Sequence, residues 1–172
     1  VKLWKAGVAV SNPNTILAGV PKGTVDLMKT NQLYTYREGL VKPVLGDRYQ
    51  GKMTQEKTIS INRKDYDSGL QFSVSQALAG TEYGTAGFWL DKRYDKVSFI
   101  VGPRDNQSSN SSAWLVVKAD RKTIYEGMVK QTDLAKQIVL DVKGAEQLLL
   151  TCEYRNSDFL GGITYGVVEI KA

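Results

Sequence analysis

Apolar residues recur at every second position through most of the chain, in short runs broken by Gly, Asn, Asp, Ser and Pro. A period of two sends alternate side chains to opposite faces of a strand, so the pattern predicts an all-β sandwich or barrel with few helices. The clearest run is Ala113 to Ala119, where Leu115, Val117 and Ala119 alternate with Trp114, Val116 and Lys118 ahead of an Asp120-Arg121 turn. Thr123 to Gly127 continues as its hairpin partner. Val97, Phe99 and Val101 mark a second strand that stops at Gly102-Pro103, because proline has no N–H to give a ladder. With Lys57 to Ile61, Leu70 to Val74, Gly87 to Leu90, Gln137 to Val142, Gln147 to Glu153 and Tyr165 to Ile170 the count reaches roughly nine strands, which suits a sandwich. Gly144 suits a tight corner between two of them, since it takes a positive φ without a Cβ penalty.

Residues 1 to 55 read less regularly. Ser11-Asn12-Pro13-Asn14 and Val20-Pro21-Lys22-Gly23 punctuate them, and Thr24 to Asn31 suits either a short helix or a strand. The segment is neither charged nor repetitive enough for a disordered tail. The expectation is one domain over residues 1–172, with an irregular extension over 1–55 packed on a sandwich over 56–172. A chain of 172 residues buries roughly 70% of its unfolded surface and so folds without metal or disulfide staples.

Charge narrows the partners. Lys and Arg number 23 against 18 Asp and Glu, a net +5, and they are scattered singly or in pairs such as Arg63-Lys64 and Lys92-Arg93. No dense stripe tracks a phosphate backbone, so no nucleic-acid partner is expected. No stretch approaches the roughly 20 apolar residues of a membrane helix, so no membrane insertion is expected either. The chain has no histidine, which removes the commonest general base and the imidazole metal ligands together. Cys152 is the lone cysteine and follows Leu148-Leu149-Leu150-Thr151, a setting that reads as a small hydrophobe in a buried strand.

Five segments, in order, carry a family pattern: Ile59 to Gly69 (ISINRKDYDSG), Leu90 to Asp105 (LDKRYDKVSFIVGPRD), Trp114 to Gly127 (WLVVKADRKTIYEG), Ile138 to Leu150 (IVLDVKGAEQLLL) and Tyr165 to Ile170 (YGVVEI). Over about residues 56–172 the chain resembles the NPCBM modules, carbohydrate-binding domains of bacterial proteins. The resemblance implies a jelly-roll β-sandwich of the galactose-binding-like type, attached to glycoside hydrolases or carried on secreted or cell-surface proteins. Two features depart from it: Arg121 stands where the family has glycine after aspartate, and the segment from Asp158 to Gly166 lacks the tryptophan of many sugar-binding members.

Sugar binding needs flat apolar faces for the C–H side of a pyranose and convergent polar groups for its hydroxyls. Period two points Trp89 and Trp114 outward if Phe88, Leu90, Leu115 and Val117 point inward, and the opposing reading is that residues 1–55 cover both indoles. The loop from Gly102 to Ser112 supplies Arg104, Asp105, Asn106 and Asn110 for hydroxyls, or less well for a structural calcium ion; the opposing reading is a solvated loop bonded to its own backbone. Tyr83 and Tyr165, each before a glycine, either rim a shallow site or cap the core. The acidic residues Glu56, Asp65, Asp67, Glu82, Asp91 and Asp95 show no spacing that singles out a glycosidase pair. The leading expectation is therefore a non-catalytic module that binds a glycan and needs no cofactor. The alternative is a secreted subunit that assembles with copies of itself through an edge strand carrying Trp4, Val8 and Val10.

Overall fold

Alternation becomes antiparallel strands wherever the inward residues are Val, Ile, Leu or Phe and a polar turn follows. The computed structural model describes residues 24–37, 40–75, 83–107, 112–153 and 162–172. Its strands are β1 (Leu33–Tyr36), β2 (Val41–Val44), β3 (Ile59–Ile61), β4 (Lys64–Tyr66), β5 (Gly69–Ser75), β6 (Tyr83–Trp89), β7 (Lys96–Pro103), β8 (Ser112–Ala119), β9 (Lys122–Lys130), β10 (Lys136–Asp141), β11 (Gln147–Glu153) and β12 (Gly162–Lys171). One five-stranded sheet runs β1-β6-β11-β8-β9 and a second runs β10-β7-β12-β5-β2, with β3 and β4 as a separate hairpin. All strand pairings are antiparallel. This is the expected all-β sandwich.

The core lies between the two five-stranded sheets. Leu148, Leu150 and Cys152 of β11, with Leu115 and Val117 of β8, share one cluster with Val97, Phe99 and Val101 of β7 and Phe72 and Tyr165 of β5 and β12. Phe72 stacks on Tyr165 at 5.5 Å, and Phe99 meets Tyr125 edge-on at 6.3 Å. A buried aromatic removes about 150–250 Å² from water, so these four rings are a large share of the driving force.

The two outer faces differ. On the second sheet, Ile59, Ile61 and Tyr66 of the β3–β4 hairpin pack with Val44 and Val168 into a small separate cluster, joined by Ile100 and Ala135. Two glycines make that possible: a Cβ on Gly102 would lie 2.6 Å from Ile61 Cγ2, and one on Gly166 would lie 2.8 Å from Ile61 Cδ1. This hairpin explains why β7 and β12 are apolar on both faces, with Ile100 and Val168 packed outward. On the first sheet, Tyr34 lies over Gly87.

Two features depart from the sequence expectation. Residues 33–36 and 41–44, assigned to the irregular extension, are strands, one in each sheet, and β2 takes Pro43 because it is an edge strand. Thr24 to Asn31 forms neither helix nor strand but a bridge at Asp26 followed by turns. The edge strand expected around Trp4, Val8 and Val10 lies outside the described residues.

Three corners hold two consecutive non-glycine residues at positive φ: Asn62-Arg63 (51° and 65°), Asp91-Lys92 (53° and 58°) and Asp120-Arg121 (48° and 71°). This is the signature of type I′ turns, whose twist matches the flanking strands, and asparagine or aspartate followed by glycine is its preferred pair. A left-handed non-glycine residue costs roughly 1–2 kcal/mol, offset partly by glycine's larger loss of chain entropy. Arg121→Gly is therefore expected to stabilise the fold by about 1 kcal/mol, read as a rise in the denaturant midpoint at unchanged slope.

Candidate functional site

Strand register divides the expected site residues between two ends of the sandwich. Along β11, Gln147 faces Trp89 of β6, and Glu153 faces Trp114 of β8 and Tyr83 of β6. Six residues at about 3.4 Å each separate these rows by roughly 20 Å. Trp89 and Trp114 thus lie on one sheet but cannot stack on the same one or two sugars. Trp114 shares its end with the chain after β7, which holds Arg104, Asp105 and Asn106, and with the start of the β9–β10 connection.

At the Trp114 end, Gln107 ties the loop to the sheet. Its Nε2 donates to the carbonyls of Arg104 (2.7 Å) and Thr164 (2.6 Å), and its Oε1 accepts from the Thr164 N–H (2.6 Å). Gln131 Nε2 donates to the Gln107 carbonyl, which joins the β9–β10 connection to the same network. Beside it opens a cavity of about 330 Å³ lined by Ser112, Lys130, Gln131 and Thr132. Ser112 and the half-buried Trp114 point to the same face of β8, about 7 Å apart along the strand. A hydroxyl pair, an amide and an ammonium group within reach of an indole offer donors and acceptors suited to a neutral polyol.

The loop residues take different parts. Arg104 and Asn106 are exposed, and Asn106 holds φ 63°. Asp105 is structural: its two carboxylate oxygens accept from the N–H groups of Asn62 (2.8 Å) and Arg63 (2.6 Å), fixing the tip of the β3–β4 hairpin. Each Asp105 oxygen thus already accepts one backbone N–H. Among the described residues no group of three or more Cys, Asp or Glu side chains could hold a metal ion. Asn110, the Tyr83 side chain, Trp4, Val8 and Val10 lie outside the described residues.

Tyr165 requires a correction. It rims nothing: its side chain is fully buried, stacked on Phe72, with its hydroxyl against Cys152 and 3.5 Å from the Trp114 carbonyl. Burial pushes the Tyr165 hydroxyl well up from its usual range, with the neighbouring Cys152 adding to the shift. Alternation places Ile163, Tyr165 and Val167 on the core face of β12, which overrides the glycine beside it.

At the other end, Trp89 is 44% exposed and stacks on Tyr34 of β1, 40% exposed, with ring centroids 4.6 Å apart and planes 29° from parallel. Tyr34 lies flat over Gly87, whose Cβ would sit 2.9 Å from the phenol ring. The Tyr34 hydroxyl donates to Gln147 Oε1 (2.8 Å), which locks the ring in place. Among the described residues, Tyr34 is the part of segment 1–55 that stacks on Trp89. The sequence signal for Tyr34 was the alternation in Leu33-Tyr34-Thr35-Tyr36; Gln107, Lys130, Gln131 and Gln147 gave none, because only the fold brings them to the two ends.

Cys152 and several of the acidic residues named above are taken up by packing or pairing. Cys152 is fully buried in β11, and desolvation pushes its thiol to about 12, with Tyr165 as its neighbour. Glu56 pairs with Lys42 at 3.6 Å, Asp65 accepts from Ser60 Oγ, and Asp91 lies 4.0 Å from Arg93; Glu82 lies outside the described residues. No helix of the described residues is long and apolar enough to cross a membrane.

Two predictions follow from this packing. Gly87→Ala is expected to lift the Tyr34 ring off its seat and unstack it from Trp89, seen as a loss of near-UV circular dichroism with the far-UV spectrum unchanged. Cys152 is neutral in the folded state up to about pH 12, whereas in the unfolded chain it ionises from about 9. Stability from this group is thus complete below pH 9 and declines as pH rises towards 12. A thiol reagent at pH 8 is expected to label Cys152 only after denaturant is added.

Comparison with known proteins places these features in a family context. The NPCBM/NEW2 domain model matches residues 26–159. Among solved structures, CBM51 from Clostridium perfringens GH95, in complex with methyl-galactose, aligns with TM-score 0.61 at 16% identity, covering 86% of this chain and 98% of that one. CBM51-2 of Clostridium perfringens ZmpB, solved with GlcNAc and with INT domains, aligns at 0.60 and 14% identity, covering 86% of this chain and 31% of that one. The tandem CBM51 modules of Sp3GH98, a family 98 glycoside hydrolase from Streptococcus pneumoniae SP3-BS71, align at 0.60 and 15% identity, covering 93% of this chain and 49% of that one. No curated protein sequence matches the chain.

Proposed function

The chain belongs to the NPCBM/NEW2 domain family, with the fold of carbohydrate-binding modules, and from that premise we propose that it is a non-catalytic module that binds a glycan at the Trp114 end. The observation that carries the reading is the cavity lined by Ser112, Lys130, Gln131 and Thr132, joined to the loop after β7 by the Gln131–Gln107 hydrogen bond at the sheet end that carries Trp114. Hydroxyl, amide and ammonium donors suit sugar hydroxyls, and among the described residues the lining carries no carboxylate. Relatives solved with methyl-galactose and with GlcNAc make hexoses of these two kinds the first candidates. Its place is outside the cell or on its surface, where such polymers are met.

A shallow site that orders one or two sugars leaves only a few kcal/mol of binding free energy, so dissociation constants in the high micromolar to millimolar range are expected. Calorimetric titration with methyl-galactoside and with N-acetylglucosamine, backed by a glycan array, tests this. Binding in that range, weakened at least fivefold by Gln131→Ala, is the expected result. A folded protein that binds no glycan at millimolar concentration overturns the reading.

A further inference from the structure

We propose that the Tyr34–Trp89 pair is a second sugar platform, taking one hexopyranose ring of a longer glycan chain, roughly 27 Å from the first site by strand spacing. The inference rests on the glycan-binding reading and adds a second point of attachment to it.

The pair is built to stay flat and outward. Gly87 gives the phenol a seat against the sheet, Gln147 holds its hydroxyl, and the 4.6 Å stack braces the indole against the phenol. The stack holds the two rings together while both residues stay substantially exposed. The flat faces suit the C–H side of a pyranose, and the Gln147 amide nitrogen supplies a donor at the edge.

Size and charge select the occupant. With exposures of 44% and 40%, and about 150–250 Å² per aromatic side chain, the pair offers roughly 150–200 Å² of ring surface. A stable protein interface buries about 800 Å² per partner, so the pair is too small to be a protein contact of that kind and about the size of a sugar ring. The charged rim is internally compensated: Lys92 lies 3.5 Å from Glu146, and Arg93 lies 4.0 Å from Asp91. A balanced rim favours a neutral, hydroxylated ligand over a phosphate or a polyanion.

Two sites on one module act through effective concentration. A polymer seated at the first site presents its next units to the second, so retention on a polymer exceeds what a single sugar predicts. The test is affinity electrophoresis in gels carrying galactose-substituted and N-acetylglucosamine-substituted polymers. It compares the native chain with Trp89→Ala, Trp89→Phe and Lys130→Ala/Gln131→Ala, each checked by thermal melting. Trp89→Ala is expected to lose at least tenfold in polymer affinity, while Trp89→Phe, which keeps a flat face, stays within about threefold. Trp89→Ala retained like the native chain, with Lys130→Ala/Gln131→Ala released, overturns the platform and leaves the glycan reading standing. A native chain retained on neither polymer overturns both.

Discussion

The seating of Ile61 in the notch left by Gly102 and Gly166 closes the outer face of the second sheet. A five-stranded sheet has two faces, and one of each is spent on the shared core. The β3–β4 hairpin covers the outer face of the second sheet by placing Ile59 and Ile61 where side chains on Gly102 and Gly166 would collide with them. Asp105 then holds the hairpin tip through the Asn62 and Arg63 amides. Trp89, Tyr34 and Trp114 stand on the first sheet instead, Trp89 and Tyr34 at one end of it and Trp114 at the other. A carbohydrate module needs rigid strands behind its aromatic rings, and a second sheet buried on both faces supplies that rigidity.

Much of this was legible in the sequence because period two is a local signal. Val97, Phe99 and Val101, or Leu148, Leu150 and Cys152, announce their inward face from spacing alone. The strands that escaped notice are those whose reasons are not local. β2 contains Pro43, which argues against a strand until its edge position is known. β4 is three residues long and belongs to a hairpin whose partner surface is a pair of glycines more than thirty residues downstream. The same distance hid the candidate sites: Tyr34 meets Trp89, and Gln107 meets Gln131 and Thr164, across loops that no window spans. Tyr165 misled for a related reason, since a tyrosine next to a glycine at a strand end looks exposed until the strand proves to extend from Gly162 to Lys171.

The two Trp residues that spacing turned outward share a face but not a site. Their rows lie six residues apart along β11, so the two candidate aromatic residues stand at opposite ends of the sheet. One end has a polar cavity with an indole at its edge, and the other has a flat pair with an amide at its edge. A chain-like ligand can use both, whereas a single sugar must choose.

What remains is why a surface with many acidic residues carries so little acid chemistry. Several aspartates are bound to backbone. Asp26 accepts from Met28 N–H and Ser68 Oγ, Asp120 accepts from Glu146 and Gln147 N–H, Asp133 from Lys130 N–H, Asp141 from Lys143 N–H, and Asp105 from two hairpin amides. Each of these amides sits where a strand starts or a turn closes and has no ladder partner, and a carboxylate is a strong acceptor for it. These bonds fix the orientation of each carboxylate against the backbone. The fold thus spends its acids on corners, and leaves rings, hydroxyls and side-chain amides at the surfaces where a ligand would rest.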